Sequence, residues 1–318
     1  MTYSLDSEII NNLQENGRIA FAKIAKKLKV SPRIVQIHYA KMKEAGLIKG
    51  TTIILNLPRI NIRMRYTANI CINASEGDLE KVVESIKSIR VDTLNTTCWT
   101  TFGRYNITVG IGSTNLFDVH KLRNLIMQHP SVKSASININ QSYFENGRKV
   151  DFASGPFPLA DLDKVDIKLI KILTKDARAP LKEIGKTLGV SIDTVSRRIK
   201  RLEQKDIILG STVVLSSKAC GYLGLCGLYI KIKPGSSILN ITEKLLKIPA
   251  AISLFHLLGE YNFNLNLHFR EYIDIIKVVS QIRKIEEIES FDTVLYLERE
   301  WSMPYIFGYD NPESTFVV

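Results

Sequence analysis

The run Leu188-Gly189-Val190-Ser191-Ile192-Asp193-Thr194-Val195-Ser196-Arg197-Arg198-Ile199-Lys200-Arg201-Leu202 decides how this chain is read. Its first residues form a tight turn that favours glycine. The Ser191 hydroxyl can then accept an orphan backbone N–H at the start of a helix. Along that helix Val195, Ile199 and Leu202 fall at i, i+4 and i+7 and must face inward, which leaves Ser196, Arg197, Lys200 and Arg201 on other, exposed sides. Upstream, Lys182 to Leu188 is a short helix, and Leu169, Ile170 and Leu173 mark one face of an earlier one. Two helices joined by a short turn, the second basic and capped, make a helix-turn-helix, whose second helix fits the major groove of DNA.

The same pattern occurs earlier in the chain. A shift of 160 residues aligns Asp6 with Asp166, Arg18 with Arg178, Ile24 with Ile184, Ser31 with Ser191, Val35 with Val195 and Gly50 with Gly210. In all there are twelve identities over 45 ungapped positions, where chance gives roughly two or three. The chain is an internal duplication. Charge follows the repeat. Residues 1–50 hold nine bases and four acids, residues 162–210 twelve and seven, and the other 219 residues only one net positive charge of the total of +11. A polyanion partner accounts for basic residues concentrated in two short windows, because each neutralised phosphate releases counterions.

Each helix-turn-helix is followed by a stretch of different periodicity. In the first copy Arg63 to Ala74 reads as a strand, Asp78 to Ile89 as a helix, Leu94 to Phe102 and Tyr105 to Gly112 as strands, Leu116 to Gln128 as a helix and Ser134 to Phe144 as a strand. The second copy repeats the order at Leu223 to Ile232, Ile238 to Ile248, Ile252 to Leu258, Tyr261 to Phe269, Tyr272 to Lys284 and Phe291 to Glu298. The order βαββαβ is ferredoxin-like, an antiparallel four-stranded sheet with helices on one face and the other face free to bury against a partner. The fold class is therefore α+β: two copies of a winged-type helix-turn-helix followed by a βαββαβ domain. The expected domains are 1–56 and 162–216 (helix-turn-helix) and 57–145 and 217–318 (ferredoxin-like). Residues 146–161, with Gly147, Gly155, Pro156 and Pro158, form the linker.

A helix-turn-helix, a connecting strand (Thr51 to Leu55; Ser211 to Leu215) and a βαββαβ domain together resemble the Lrp/AsnC, or feast/famine, transcription regulators. Asp163, Asp166, Arg178, the helix from Val195 to Glu203 and Ile207-Ile208-Leu209-Gly210 carry the likeness most closely. The resemblance implies double-stranded DNA as partner, self-association sheet to sheet through the ferredoxin-like domains, and a small-molecule effector, commonly an amino acid. It also implies DNA contacts by Ser196, Arg197, Lys200 and Arg201, with Arg198 serving either packing or backbone contact. The first copy departs from the pattern. His38 stands for an arginine, Tyr39 and Met42 for smaller aliphatics, and Lys29 where the turn favours glycine, at a cost on the order of 1 kcal/mol. Its reader is expected to use Arg33, Gln36 and Lys41.

The turn Gly103-Arg104-Tyr105-Asn106 recurs as Gly259-Glu260-Tyr261-Asn262. Two readings stand. One is a hairpin turn in which glycine supplies positive φ. The other is an effector-binding loop using Gly103, Tyr105, Asn106, Gly259, Tyr261 and Asn262. The family usually has aspartate at the asparagine position, so the charge that would grip an α-ammonium group is absent.

Cys71, Cys98, Cys220 and Cys226 form no Cys-x-x-Cys pair, which argues against a disulfide framework or zinc ribbon and for a reducing interior. The five histidines form no metal-ligand spacing, and no phosphate loop or nucleophile elbow occurs, so no metal, cofactor or catalytic group is expected. The N-terminus is acidic where a signal peptide is basic, and the longest apolar run, Cys220 to Ile230, is short of the roughly 20 residues of a membrane span. A cytoplasmic protein is expected. Trp99 and Trp301 read as packing residues. Two other functions remain open: a fused siroheme decarboxylase, a class similar in architecture, and an architectural DNA-binding protein without sequence preference.

Overall fold

The computed structural model describes residues 5–60, 66–89, 94–145, 148–151, 160–297 and 302–303. Residues 63–65 of the expected first strand, 146, 147 and 152–159 of the expected linker, Glu298 and Trp301 lie outside these. In chain order the first copy runs α1 (Leu5–Glu15), α2 (Phe21–Leu28), α3 (Pro32–Glu44), β1 (Ile48–Leu55), α4 (Leu57–Ile60) and β2 (Tyr66–Ala74). A 3-10 turn at Glu76–Asp78 leads into α5 (Leu79–Ser88), β3 (Leu94–Gly103), β4 (Ile107–Ser113), α6 (Leu116–Met127), β5 (Val132–Glu145) and β6 (Arg148–Asp151). The second copy runs α7 (Lys164–Lys175), α8 (Leu181–Leu188), α9 (Ile192–Gln204), β7 (Ile208–Ser216), β8 (Gly224–Ile232) and α10 (Ile238–Leu246). It ends with β9 (Ala251–Gly259), β10 (Phe263–Phe269), α11 (Tyr272–Ile282), β11 (Ile288–Tyr296) and β12 (Ser302–Met303).

Like pairs with like. One compact unit takes Met1–Asn61, Pro158–Cys220 and Glu300–Val318, and the other Ile62–Phe157 and Gly221–Arg299. In the first unit the strand after each helix-turn-helix pairs antiparallel with its counterpart, β1 with β7, through partners such as Ile53↔Ser211 and Thr52↔Thr212. The turn after α1 docks on β7: Gly17 N–H donates to the Ser211 carbonyl at 3.0 Å. A Cβ on Gly17 would lie 2.6 Å from the Thr212 carbonyl oxygen, so only glycine allows this approach. The pseudo-equivalent contact is Ala177 N–H to the Thr51 carbonyl at 3.1 Å. The caps form as the composition predicts. Ser191 accepts from Thr194 N–H, Ser31 from Ile34 N–H ahead of Pro32, and Asp163 makes a reciprocal capping box with Asp166. Lys29 does adopt the left-handed conformation, φ 56°, that glycine takes at Gly189, φ 69°.

In the second unit each copy forms the expected antiparallel sheet, β5-β2-β4-β3 and β11-β8-β10-β9. Residues alternate as a two-residue period demands. Phe263, Leu265, Leu267 and Phe269 of β10 join the core under α10 and α11, together with Leu228, Ile241, Leu245 and Ile282. Ile70, Ile72, Ile107, Val109, Val119 and Leu122 do the same in the first copy.

The free sheet face expected of each copy is not free, because the other copy covers it. Strand β3 pairs with β11 (Gly103↔Val294, Thr101↔Tyr296) and β5 with β9 (Asn140↔Leu257, Tyr143↔Phe255). With β2–β5 pairing inside the first copy, eight strands close into a ring, and no edge remains among them. Between the two faces lies a small cluster of Cys71, Tyr105, Tyr229, Leu257, Tyr261 and Val294. The expected linker also differs. Its residues Arg148–Asp151 form β6, hydrogen-bonded to the end of β5 (Phe144↔Lys149), so the hairpin extends the sheet before the chain leaves it.

Candidate nucleic-acid interface

The second reader, α9, is oriented by ion pairs at its back. Val195, Ile199 and Leu202 are buried against the bundle. Asp166, fully buried at the N-terminus of α7, receives Arg198 Nη1 at 2.7 Å and also Arg201 Nη2. Arg198 bonds Asp163 at the same distance. The Asp163 carboxyl is held below its usual range, first by the Asp166 backbone N–H and then by Arg198, and Arg198 is raised in turn. Four charges thus bind α9 to α7.

Arg198 lies on the packing side, held by both carboxylates, with 22% of its side chain exposed. Arg201 shares its guanidinium between Asp166 and the outer surface, where 42% of its side chain stays exposed. Arg197 and Lys200 are exposed and make no ion pair among the described residues. With Asp193, Ser196, Arg201 and Gln204 they line one shallow depression along α9.

In the first reader, α3, the expected residues Arg33, Gln36 and Lys41 are exposed. Its departures now have physical reasons. His38 Nδ1 lies 2.6 Å from Asp6 Oδ1, and these are the counterparts of Arg198 and Asp166, so the contact survives with a shorter side chain. Tyr39 packs against Phe21 with ring centroids 5.1 Å apart and planes tilted by 50°, and the Arg178 guanidinium lies 4.3 Å over Phe21. Met42 is core.

Arg18 and Arg178, identical in the repeat, clamp the two helix-turn-helix copies to each other. Arg178 Nη1 donates to the carbonyls of Gly17 (2.8 Å) and Ile19 (2.9 Å), and Arg18 Nη1 returns the contact to Ala177 (2.6 Å). Burial lowers the pKa of both guanidinium groups. No sequence signal separated these arginines from DNA-contacting ones, since identity in a repeat marks a shared role without naming it.

The effector-loop residues divide. Tyr105 and Tyr261 are buried between the two sheets. Asn106 accepts from Ala74 N–H (2.9 Å) and donates to Ala74 C=O (2.7 Å), while Asn262 accepts from Ile232 N–H (3.0 Å). Both asparagines therefore brace a hairpin to the neighbouring strand. Gly103, φ 129°, sits where a Cβ would be 2.2 Å from the Thr293 carbonyl oxygen, so the β3–β11 pairing requires it. Gly103 and Asn106 also border an open depression of about 570 Å³ with Phe102, Lys133 and Glu76. Among the described residues no group of three His, Cys, Asp or Glu could hold a metal, no cysteine is paired, and no helix is long and apolar enough to cross a membrane.

Comparison with known proteins agrees with this geometry. The AsnC-type helix-turn-helix domain model matches residues 162–203, and a winged helix-turn-helix DNA-binding model matches 4–49. The HTH-type transcriptional regulator FL11 of Pyrococcus furiosus is 31% identical over 137 residues, 43% of this chain and 90% of that protein. The regulatory protein AsnC of Haemophilus influenzae is 28% identical over 139 residues, 43% and 93%. Among solved structures, the siroheme decarboxylase NirDL in complex with an iron-uroporphyrin III analogue superposes with a TM-score of 0.61, covering 93% of this chain and 92% of that one. At 12% identity that likeness is one of fold.

Proposed function

The chain belongs to the Lrp/AsnC family of helix-turn-helix transcription regulators, and we propose that it carries within one polypeptide the two DNA readers that a dimer would supply from two. The observation behind this is the paired helix-turn-helix unit itself. Antiparallel β1–β7 and the reciprocal Arg18/Arg178 clamp hold α3 and α9 in one body. The second reader contacts base edges through Arg197 and Lys200, with Ser196 as an adaptable partner and Arg201 at the margin. The first uses Arg33, Gln36 and Lys41. Because the readers differ, the operator is asymmetric. The protein acts on DNA in the cytoplasm, and any further self-association uses surfaces other than the sheet faces already buried. A small effector fits the depression beside Gly103, with Asn106 bracing the loop and not gripping the ligand.

In vitro selection with the intact chain, followed by mobility shifts at fixed salt, tests the reading. A specific duplex bound at least a thousandfold better than random sequence is expected. Equal affinity for both makes it an architectural protein. A second reading, a tetrapyrrole decarboxylase, is favoured by the whole-chain superposition on NirDL. Against it stands the confinement of surplus base to the two helix-turn-helix windows. Visible absorbance retained after incubation with siroheme would support the enzyme.

A further inference from the structure

The outward face of α9 is defined by the depression that Asp193, Ser196, Arg197, Lys200, Arg201 and Gln204 share. Moving back by 160 residues gives the corresponding face of α3: Arg33, Gln36, Ile37, Ala40, Lys41 and Glu44. The two faces differ most at their centres. Arg197 and Lys200 are replaced by Ile37 and Ala40, and cations remain only at the margins, as Arg33 and Lys41. Ile37 is 44% exposed and Ile34, one turn earlier, 38% exposed. Two isoleucines stand open on a helix whose core side is complete, whereas α9 exposes one, Ile192 at its first position, 48% exposed.

The chemistry of base edges distinguishes the two faces. Arginine and lysine offer only donors, which match the O6 and N7 acceptors of guanine, and a carboxylate accepts from cytosine N4. The second reader carries both types, in Arg197, Lys200 and Asp193. A carboxamide matches the donor and acceptor of adenine N6 and N7, and an apolar side chain fits the thymine methyl. The first reader carries Gln36 beside Ile37, Ala40 and Ile34. Resting on the regulator reading above, we infer that the operator has halves of different composition: α3 reads an A·T half-site through Gln36 and thymine methyl contacts at Ile37 and Ala40, and α9 reads a half-site bearing G·C through Arg197, Lys200 and Asp193. Ile37 and Ala40 are the specificity-determining residues of the first reader.

Base analogues test this without disturbing the protein. In the duplex selected by the intact chain, thymine is replaced by deoxyuridine in the A·T half, which removes only the methyl. At the single thymine that Ile37 covers, affinity falls about threefold for the wild type, the worth of one buried methyl, and is unchanged by that one replacement in Ile37→Ala. Guanine replaced by 7-deazaguanine in the other half removes the N7 acceptor. At the single guanine that Arg197 reads, affinity then falls about tenfold for the wild type and does not fall further in Arg197→Ala. Selected halves of equal composition, or analogue effects that persist in the matching variant, overturn the base assignment and leave the regulator reading standing. In that case the isoleucines face something other than DNA. A chain that binds no duplex at low salt overturns both.

Discussion

The phenolic oxygens of Tyr105 and Tyr261 lie 3.1 Å apart, and these residues hold the same position in the two ferredoxin-like copies. A residue that meets its own counterpart marks the pseudo-twofold axis of the paired sheets. The surroundings are not symmetric. Tyr105 donates to Glu260 at 2.8 Å and Tyr261 to Asp292 at 2.6 Å, and both carboxylates come from the second copy. Their counterparts, 156 residues earlier, are Arg104 and Ser136. Two second copies facing each other would bring four carboxylates to one axis, so the divergence favours pairing within the chain. Burial pushes the Tyr105 hydroxyl up to about 12, and Tyr261 is raised further, by burial and then by its bond to Asp292.

Removing one of these hydroxyls leaves a half-buried carboxylate short of a donor. Tyr261→Phe is expected to lower unfolding stability by about 1–3 kcal/mol. Tyr105→Phe with Tyr261→Phe is expected to cost less than the sum of the two, because the groups share one network. Urea unfolding of the three variants measures both effects.

Arg178 touches the other reader and not the outward face. Arg178→Ala removes two bonds to carbonyls and the stacking on Phe21, for an expected loss of about 1–3 kcal/mol. DNA affinity falls because the readers lose their fixed spacing. The slope of log affinity against log salt stays unchanged, since no phosphate contact is removed. A salt titration of binding separates this positioning role from direct contact.

The cations of α9 divide into two kinds, and variants show the division. Arg197→Ala with Lys200→Ala lowers specific affinity more than tenfold with little change in melting temperature. Arg198→Ala does the reverse. It weakens the hold on buried Asp166 and costs about 3 kcal/mol or more. Parallel thermal melts and mobility shifts check the pair.

Two buried histidines set the acid limit. His256, bonded to Thr242 Oγ1 at 2.8 Å, is pushed down from 6.5 to about 4 by burial and then by nearby Lys149, and His268 is lowered to about 4 by burial. Each is neutral when folded and takes up a proton on unfolding between those values. Stability is therefore full above pH 6.5 and falls as pH drops toward 4, by on the order of 3 kcal/mol per residue at the limit. A profile of unfolding stability against pH should flatten over this range in His256→Gln with His268→Gln.

Much was legible in the residues alone. The duplication, the capped readers, the inward stripe Val195-Ile199-Leu202 and both βαββαβ halves depend on neighbours a few positions apart, and periodicity and capping record such neighbours directly. Strand β6 is not legible there, because Gly147 together with Gly155, Pro156 and Pro158 reads as linker, whereas Arg148–Asp151 pairs with the end of β5.

What only the tertiary structure decided is which surface meets which. The joins β3–β11 and β5–β9 bring together strands more than a hundred residues apart, and their pattern looks the same whether the partner is another chain or the same one. The residue types in α9 name four cations but not their opposite charges. Asp163 and Asp166, some 35 residues away, engage Arg198 and Arg201, while Arg197 and Lys200 stay exposed and make no ion pair among the described residues. Local order follows from spacing along the chain, whereas the role of a charge follows from what folding places across from it.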